Sequence, residues 1–129
     1  MSLRTELDPA LPAVNGDRVQ LEQVILNLTM NGIESTAGFD RKPKRILIRS
    51  ALPNPGELLV SVADTGSGID PEHANRLFAP FFTTKPQGIG MGLPICHSII
   101  EAHGGRLWAE NNESGGAVFH IMLPINATI

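Results

Sequence analysis

One cysteine in 129 residues, Cys96, excludes any disulfide framework within the chain. It falls in an apolar helical pattern and reads as a small buried hydrophobe. No apolar run approaches membrane-spanning length, and no signal peptide is visible. The default compartment is therefore the cytoplasm, without direct membrane contact. Positive charge is scarce: the net charge is −3 and the pI about 5.7, which argues against a nucleic-acid surface. Arg41, Lys42, Lys44 and Arg45 do cluster, beside a proline between two elements, and read as a solvated connection. Metal-ligand spacing is missing too. His73, His97, His103 and His120 fall in different elements, and no Cys–His set suits zinc. Ser67 lacks the GxSxG elbow of a nucleophilic serine. There is no GxxxxGK phosphate loop and no dinucleotide fingerprint.

What is present is a chain able to bury a core unaided. Hydrophobic residues make up 42% and charged residues 18%, so one soluble domain is expected. A single domain is expected over residues 1–129, with a core of about 11–124. Met1-Ser2-Leu3 runs straight into domain sequence, and the expectation is a domain excised from a larger protein.

The organising stretch is Leu21 to Thr36. At about 100° per residue, Leu21, Val24, Ile25, Leu28 and Gly32 share one helix face. Leu26, Met30 and Ile33 widen that apolar zone on one flank, and Arg18, Glu22, Thr29 and Thr36 form the expected solvent side. A second polar stripe holds Gln23, Asn27, Asn31 and Glu34, within about 80° of one another. Asparagine is a poor helix former, so this stripe is either a second solvated edge or the lining of a polar pocket.

Along the chain, residues 1–10 read as weakly ordered and Leu11 to Val14 as a short edge strand. Asp17 caps the helix and Gly38 ends it. Lys44 to Leu52 and Glu57 to Ala63 form a hairpin around the turn Pro53 to Gly56. A short helix opens at Asp70-Pro71-Glu72, and a second long one spans Gly92 to His103, closed by Gly104-Gly105. Arg106 to Glu110 and Ala117 to Leu123 are two more strands around the turn Asn111 to Gly116. This order predicts an α+β two-layer sandwich, a mixed and mostly antiparallel sheet covered on one face by about three helices.

Two glycine stretches stand out. Gly66-x-Gly68 follows a strand, and Gly88-x-Gly90-x-Gly92 runs into a helix N-terminus, where bare backbone N–H groups can cradle phosphate. Asp64 either caps the turn after its strand through Gly66 or Ser67, or accepts a bond from an exocyclic amine of a base. Magnesium, which takes few protein oxygens beside phosphate and water, suits the carbonyls of Asn27 and Asn31.

NLTMNGIE (27–34), DTGSGI (64–69), FAPFFTTK (78–85) and GIGMGLPICHSIIEAHGG (88–105) resemble, in order, the four ATP-site boxes of bacterial sensor histidine kinases. The resemblance runs from about Asp17 to Pro124, and the TTK wording is most similar to the nitrogen-regulation and oxygen-sensor branch. It implies the Bergerat-type ATP-binding fold shared with DNA gyrase, heat-shock chaperones and mismatch-repair ATPases. It implies ATP and Mg2+ as ligands. Asn31 would be the principal magnesium ligand and Asn27 its assistant near the phosphates, with Glu34 at a position where the branch often carries an acid. Asp64 would accept the adenine amino group, while Gly66, Gly68 and Ile69 let the base approach the backbone. Phe81, Phe82 and Lys85 would belong to a mobile lid, and Gly88, Gly90, Met91, Gly92 and Leu93 would wrap the triphosphate.

The ATPase cousins carry an acidic base one turn before the magnesium asparagine. Here that position is Asn27, which favours a kinase over a hydrolase. The family's last strand usually supplies a Thr near adenine, and Val118 is expected at that place. The phosphorylated histidine of such kinases lies in an upstream helical hairpin, followed by an acidic residue. None of the four histidines here has that setting. The implied partners are that dimerisation hairpin and a response regulator, and the isolated domain is expected to be a monomer.

Overall fold

A computed structural model of the chain describes residues 2–6, 18–37, 44–54, 56–66, 68–69, 92–112 and 115–124. The elements run β1 (Ser2–Glu6), α1 (Arg18–Ala37), β2 (Arg45–Asn54), β3 (Glu57–Asp64), α2 (Gly92–Ala102), β4 (Arg106–Asn111) and β5 (Ala117–Pro124). They form one five-stranded sheet in the order β1-β2-β3-β5-β4. β1 pairs parallel with β2; every other pair is antiparallel. The sheet is thus mixed and mostly antiparallel, as expected, and two helices are found among the described residues. The helix expected from Asp70, the caps Asp17 and Gly38, and the strand expected over Leu11–Val14 lie outside those residues.

Period-two alternation decides which face of the sheet meets the helices. On β5, Ala117, Phe119, Ile121 and Leu123 are buried, whereas Val118, His120 and Met122 point the other way. Leu58, Val62 and Asp64 of β3, Ile46 of β2 and Leu107 of β4 join the inner face. Val24 and Leu28 of α1, with Cys96, Ile99 and Ile100 of α2, close the core over it. Each fully buried Leu or Ile contributes about 1.5–3 kcal/mol of transfer free energy.

Four expectations are corrected. Ser2–Glu6 is an ordered edge strand, although only Leu3 in it is apolar. Its register against Arg45–Arg49 comes from backbone pairing, which leaves no hydrophobic period to read. β2 continues through Pro53 to Asn54, because a register shift between Ala51 and Asn54 places the proline where no ladder N–H is required. On α1, Leu26 and Met30 are 59% and 47% exposed, and of the three flank residues Ile33 packs on the core. Thr36, assigned to the solvent side, is fully buried; its hydroxyl donates to the Ile33 carbonyl at 3.0 Å, so burial leaves that O–H satisfied.

The end of α2 follows the sequence reading closely. The Gly105 N–H donates to the Ile100 carbonyl and the Gly104 N–H to that of Glu101, both at 3.0 Å. Gly104 has φ +75°, so this is a Schellman ending that needs glycine.

Candidate functional site

Alternation along β3 carries Asp64 to the inner face behind Leu58, Val60 and Val62. It is 4% exposed, a carboxylate at the end of an apolar strand. Its Oδ1 accepts the Gly66 N–H at 2.8 Å, the turn-capping bond expected from the sequence. The same oxygen accepts the Ala117 N–H of β5 at 3.2 Å. Two backbone donors on one oxygen hold the carboxylate plane in place.

Two glycines let other elements close around this group. A Cβ on Gly32 would lie 2.8 Å from Ile46 Cδ1, 3.4 Å from Asp64 Cβ and 3.7 Å from Asp64 Oδ2. The missing side chain therefore brings α1 onto β3 one residue after Asn31. Gly116 has φ +87°, and a Cβ there would lie 2.0 Å from the Asp64 carbonyl oxygen and 2.9 Å from Thr65 Cα. In the sequence Gly32 falls on the apolar face and Gly116 in a turn; neither position shows what it approaches.

The loop after Asp64 is held from β4. Asn111 Oδ1 accepts the Ile69 N–H at 2.6 Å, and its Nδ2 donates to the Ile69 carbonyl at 3.0 Å. A side-chain amide here pairs with a peptide as a neighbouring strand would. Gly68, at φ +81°, passes so close that a Cβ would lie 2.8 Å from Asn111 Oδ1. Nothing in the sequence marked Asn111 beyond turn chemistry. Asn111→Ala is expected to loosen Gly68 and Ile69 and to lower stability by about 1 kcal/mol, the usual worth of exposed amide bonds. Hydrogen exchange at the Ile69 amide checks it: unchanged protection would remove the clamp.

On α1, Asn27 and Asn31 are half-buried, whereas Gln23 and Glu34 at the ends of the stripe are exposed. The stripe is thus neither wholly edge nor wholly pocket: its two asparagines are the sheltered part. α2 starts at Gly92, and Leu93 packs against the core. Cys96, fully buried as expected, donates to the Val24 carbonyl at 3.9 Å. Burial pushes its thiol above the ordinary range, and the neighbouring Asn27 side chain opposes that shift in part. Contacts thus run from Gly32, the residue after Asn31 on α1, to Asp64, Gly66 and Gly116, and on to Gly68, Ile69 and Asn111. Phe81, Phe82, Lys85, Gly88, Gly90 and Met91 lie outside the described residues.

Val118 is not the inward residue of the last strand. It pairs with Ala63 on the face away from the helices. The inward position beside Asp64 belongs to Ala117, which also has no hydroxyl.

His97, His103 and His120 take structural places, and His73 lies outside the described residues. His103 bonds the Ile99 carbonyl through Nδ1 at 2.8 Å, and His97 lies 3.3 Å from Glu101 one turn on. His120 Nδ1 meets Ser61 Oγ at 2.8 Å and its Nε2 meets Glu110 Oε1 at 3.0 Å, on the outer sheet face. The types match a nucleophilic triad, but Ser61 sits mid-ladder between β2 and β5. Its neighbouring N–H groups are committed to strand pairing and are not available to an oxyanion. The cluster reads as a cross-strand tie, reinforced by Trp108 stacked on His120 at 5.1 Å and Arg106 5.4 Å above the Trp108 ring. Among the described residues no group of three or more His, Cys, Asp or Glu could hold a metal ion.

A mostly antiparallel sheet with helices on one face, and an inward carboxylate beneath the glycine of an asparagine-bearing helix, defines an ATP-binding type of α+β sandwich. The chain belongs to the histidine kinase-, DNA gyrase B- and HSP90-like ATPase family, whose model matches residues 16–127. It is 48% identical over 125 residues to the sensor protein FixL of Bradyrhizobium diazoefficiens, covering 96% of this chain and 24% of that protein. The catalytic domain of the histidine kinase ThkA, nucleotide-free, superposes with a TM-score of 0.81 at 40% identity, covering 95% of this chain and 78% of that one. Full-length ShkA in complex with AMPPNP gives a TM-score of 0.82 at 27% identity, covering 99% of this chain and 26% of that one. These relatives identify a catalytic domain of the histidine kinase type. The chain spans about a quarter of the length of FixL.

Proposed function

We propose that this domain binds Mg-ATP and presents the γ-phosphate to a histidine on a separate dimerisation hairpin, as part of a sensor histidine kinase. The observation that carries the reading is Asp64: a buried carboxylate held by the Gly66 and Ala117 N–H groups, under Gly32 of the helix bearing Asn27 and Asn31. Such a group is suited to accept the exocyclic amine of adenine. Gly66, Gly68 and Ile69 form the wall along which the base lies. Asn31, with Asn27 one turn before it, offers neutral oxygen donors of the kind a hard cation takes. The cation supplies charge neutralisation on the triphosphate. Gly88, Gly90, Met91, Gly92 and Leu93 would wrap the phosphates, with Phe81, Phe82 and Lys85 in the lid over them.

Transfer would form a P–N bond to the acceptor imidazole and break the bond to the β-phosphate oxygen, releasing ADP. Asn27 stands where a water-activating acid would be needed, so steady hydrolysis is not expected. A structure of ThkA in complex with the response regulator TrrA has a TM-score of 0.76 to this chain at 37% identity, covering 95% of this chain and 33% of that one. By that likeness the phosphoryl group would pass on to a response regulator. No described helix is long and apolar enough to cross a membrane; the domain would work in the cytoplasm, whatever anchors the full kinase, and as a monomer by itself.

Calorimetric titration with a non-hydrolysable ATP analogue, with and without magnesium, tests the binding half. Micromolar affinity, roughly −8 kcal/mol, is expected with magnesium. Asn31→Ala should abolish the magnesium-dependent part and leave the melting curve unchanged. Normal Mg-ATP binding by that variant would remove the metal assignment. Labelled ATP with the phosphoacceptor hairpin added in trans tests transfer, and an unlabelled hairpin beside a binding-competent domain would refute it.

A further inference from the structure

The loop that follows β3 is gripped from three strands. Asp64 Oδ1 takes the Ala117 N–H of β5, and Thr65 Oγ1 takes the Arg45 N–H of β2 at 2.9 Å. The far end is held by Asn111, the last residue of β4, whose amide meets both polar groups of the Ile69 backbone, at 2.6 and 3.0 Å. Only one orientation of that amide works, because a flip sets donor against donor and acceptor against acceptor. Gly68 lies between the two arms of the β4–β5 hairpin. A Cβ there would be 2.8 Å from Asn111 Oδ1 and 3.6 Å from the Gly116 carbonyl oxygen. The hairpin end is itself closed, with the Asn112 N–H on the Gly116 carbonyl and the Gly115 N–H on the Asn112 carbonyl, both at 2.9 Å. One hairpin thus fixes both the carboxylate of Asp64 and the backbone at Ile69.

We propose that Asn111 is a positioning residue for the choice of base, holding the Gly68–Ile69 backbone as a platform at a set distance and angle from Asp64. The proposal rests on the nucleotide reading above and deepens it. A carboxylate oxygen accepts the exocyclic amine of adenine, whereas guanine carries a carbonyl at the same ring position and sets acceptor against acceptor. That difference is felt only while the base is kept in plane with the carboxylate. A base free to tilt slides its edge off Asp64, so it gains less from the amine and loses less to the carbonyl. The Ile69 N–H is spent on Asn111, so this peptide offers the base a surface and not a competing donor. Asn111 acts on the base through Gly68 and Ile69, and a platform set before binding avoids the cost of ordering it at binding.

Two variants separate positioning from packing. Asn111→Ala removes both bonds. Asn111→Asp keeps the volume and the acceptor for the Ile69 N–H, but turns a second oxygen on the Ile69 carbonyl. Calorimetry on the full 129-residue chain reads three probes in magnesium: a non-hydrolysable ATP analogue, its guanine counterpart and inorganic tripolyphosphate. In both variants the preference for the adenine over the guanine analogue should fall about tenfold, a small part of what a hydrogen-bonding site can discriminate. Tripolyphosphate affinity should stay at the wild-type value. Ser61→Ala, which removes the tie to His120 on the outer sheet face, is the control for stability. It should lower the melting temperature and leave the preference intact. A wild-type preference in Asn111→Ala overturns the proposal. So does a wild-type preference in Asn111→Asp beside a reduced one in Asn111→Ala, which assigns the effect to volume. An equal drop in Ser61→Ala overturns it too, by assigning the effect to stability. A wild-type chain with no preference between the two analogues overturns the Asp64 reading itself, whatever the variants do.

Discussion

Asp64→Asn is expected to weaken nucleotide binding about a hundredfold while the chain stays folded. On the proposed reading the two effects separate, because the two oxygens of Asp64 would have different tasks. Oδ1 receives the Gly66 and Ala117 N–H groups, and an asparagine carbonyl can receive both. Folding should therefore lose less than about 1.5 kcal/mol. The other oxygen lies on the side of α1, 3.7 Å from where a Gly32 Cβ would be. Replaced by an amide nitrogen, it would bring a donor to the amine of adenine, and two donors facing each other in a buried site cost far more than one lost bond. Asp64→Ala is the control. It leaves two buried N–H groups without this acceptor and should cost about 1–3 kcal/mol in stability as well. Calorimetry and thermal melting on the three proteins check both halves. Unchanged analogue affinity in Asp64→Asn would mean that the base is recognised elsewhere.

Gly116→Ala is expected to destabilise the fold itself, by more than about 3 kcal/mol. Two independent causes combine at this position. Its φ of +87° is one an alanine adopts only with strain, about 1–2 kcal/mol. Its Cβ would also fall 2.0 Å from the Asp64 carbonyl oxygen and 2.7 Å from the carbonyl carbon. Those are backbone atoms held in a central strand, so no side chain can swing aside, and forced overpacking adds about 1–3 kcal/mol. The melting temperature should drop by roughly 10 °C or more. Gly56→Ala is the contrast. Nothing lies within 4 Å of a Cβ there, and the change should stay within about 0.5 kcal/mol. If the two variants melt alike, β5 does not pass Asp64 as closely as described.

Most of the architecture was legible because it rests on local periods. The apolar face of α1, the alternation in β3 and β5 and the glycine ending of α2 are short-range patterns, and each element lies within a few residues of its expected limits. Asp64 was legible for the same reason, a lone carboxylate closing an apolar strand. The family resemblance added the roles of its boxes, and the family itself is borne out.

What escaped the sequence reading depends on contacts between segments far apart in the chain. β1 draws its register from β2, some forty residues on, and has no hydrophobic period of its own. Thr36 is polar by type and buried by position, its hydroxyl returned to its own helix. Val118 looked like the residue facing the base, but strand alternation turns it outward and leaves Ala117 inside. Asn111 and Gly116 looked like a turn residue and a turn glycine. They acquire their roles only when β4 and β5 arrive beside Ile69 and Asp64. The sequence by itself determined the elements, their faces and the family, because periodicity and motif order are properties of neighbouring residues. Which side chain touches which was decided by the tertiary structure, because hydrogen bonds and close approaches depend on distances that only packing sets.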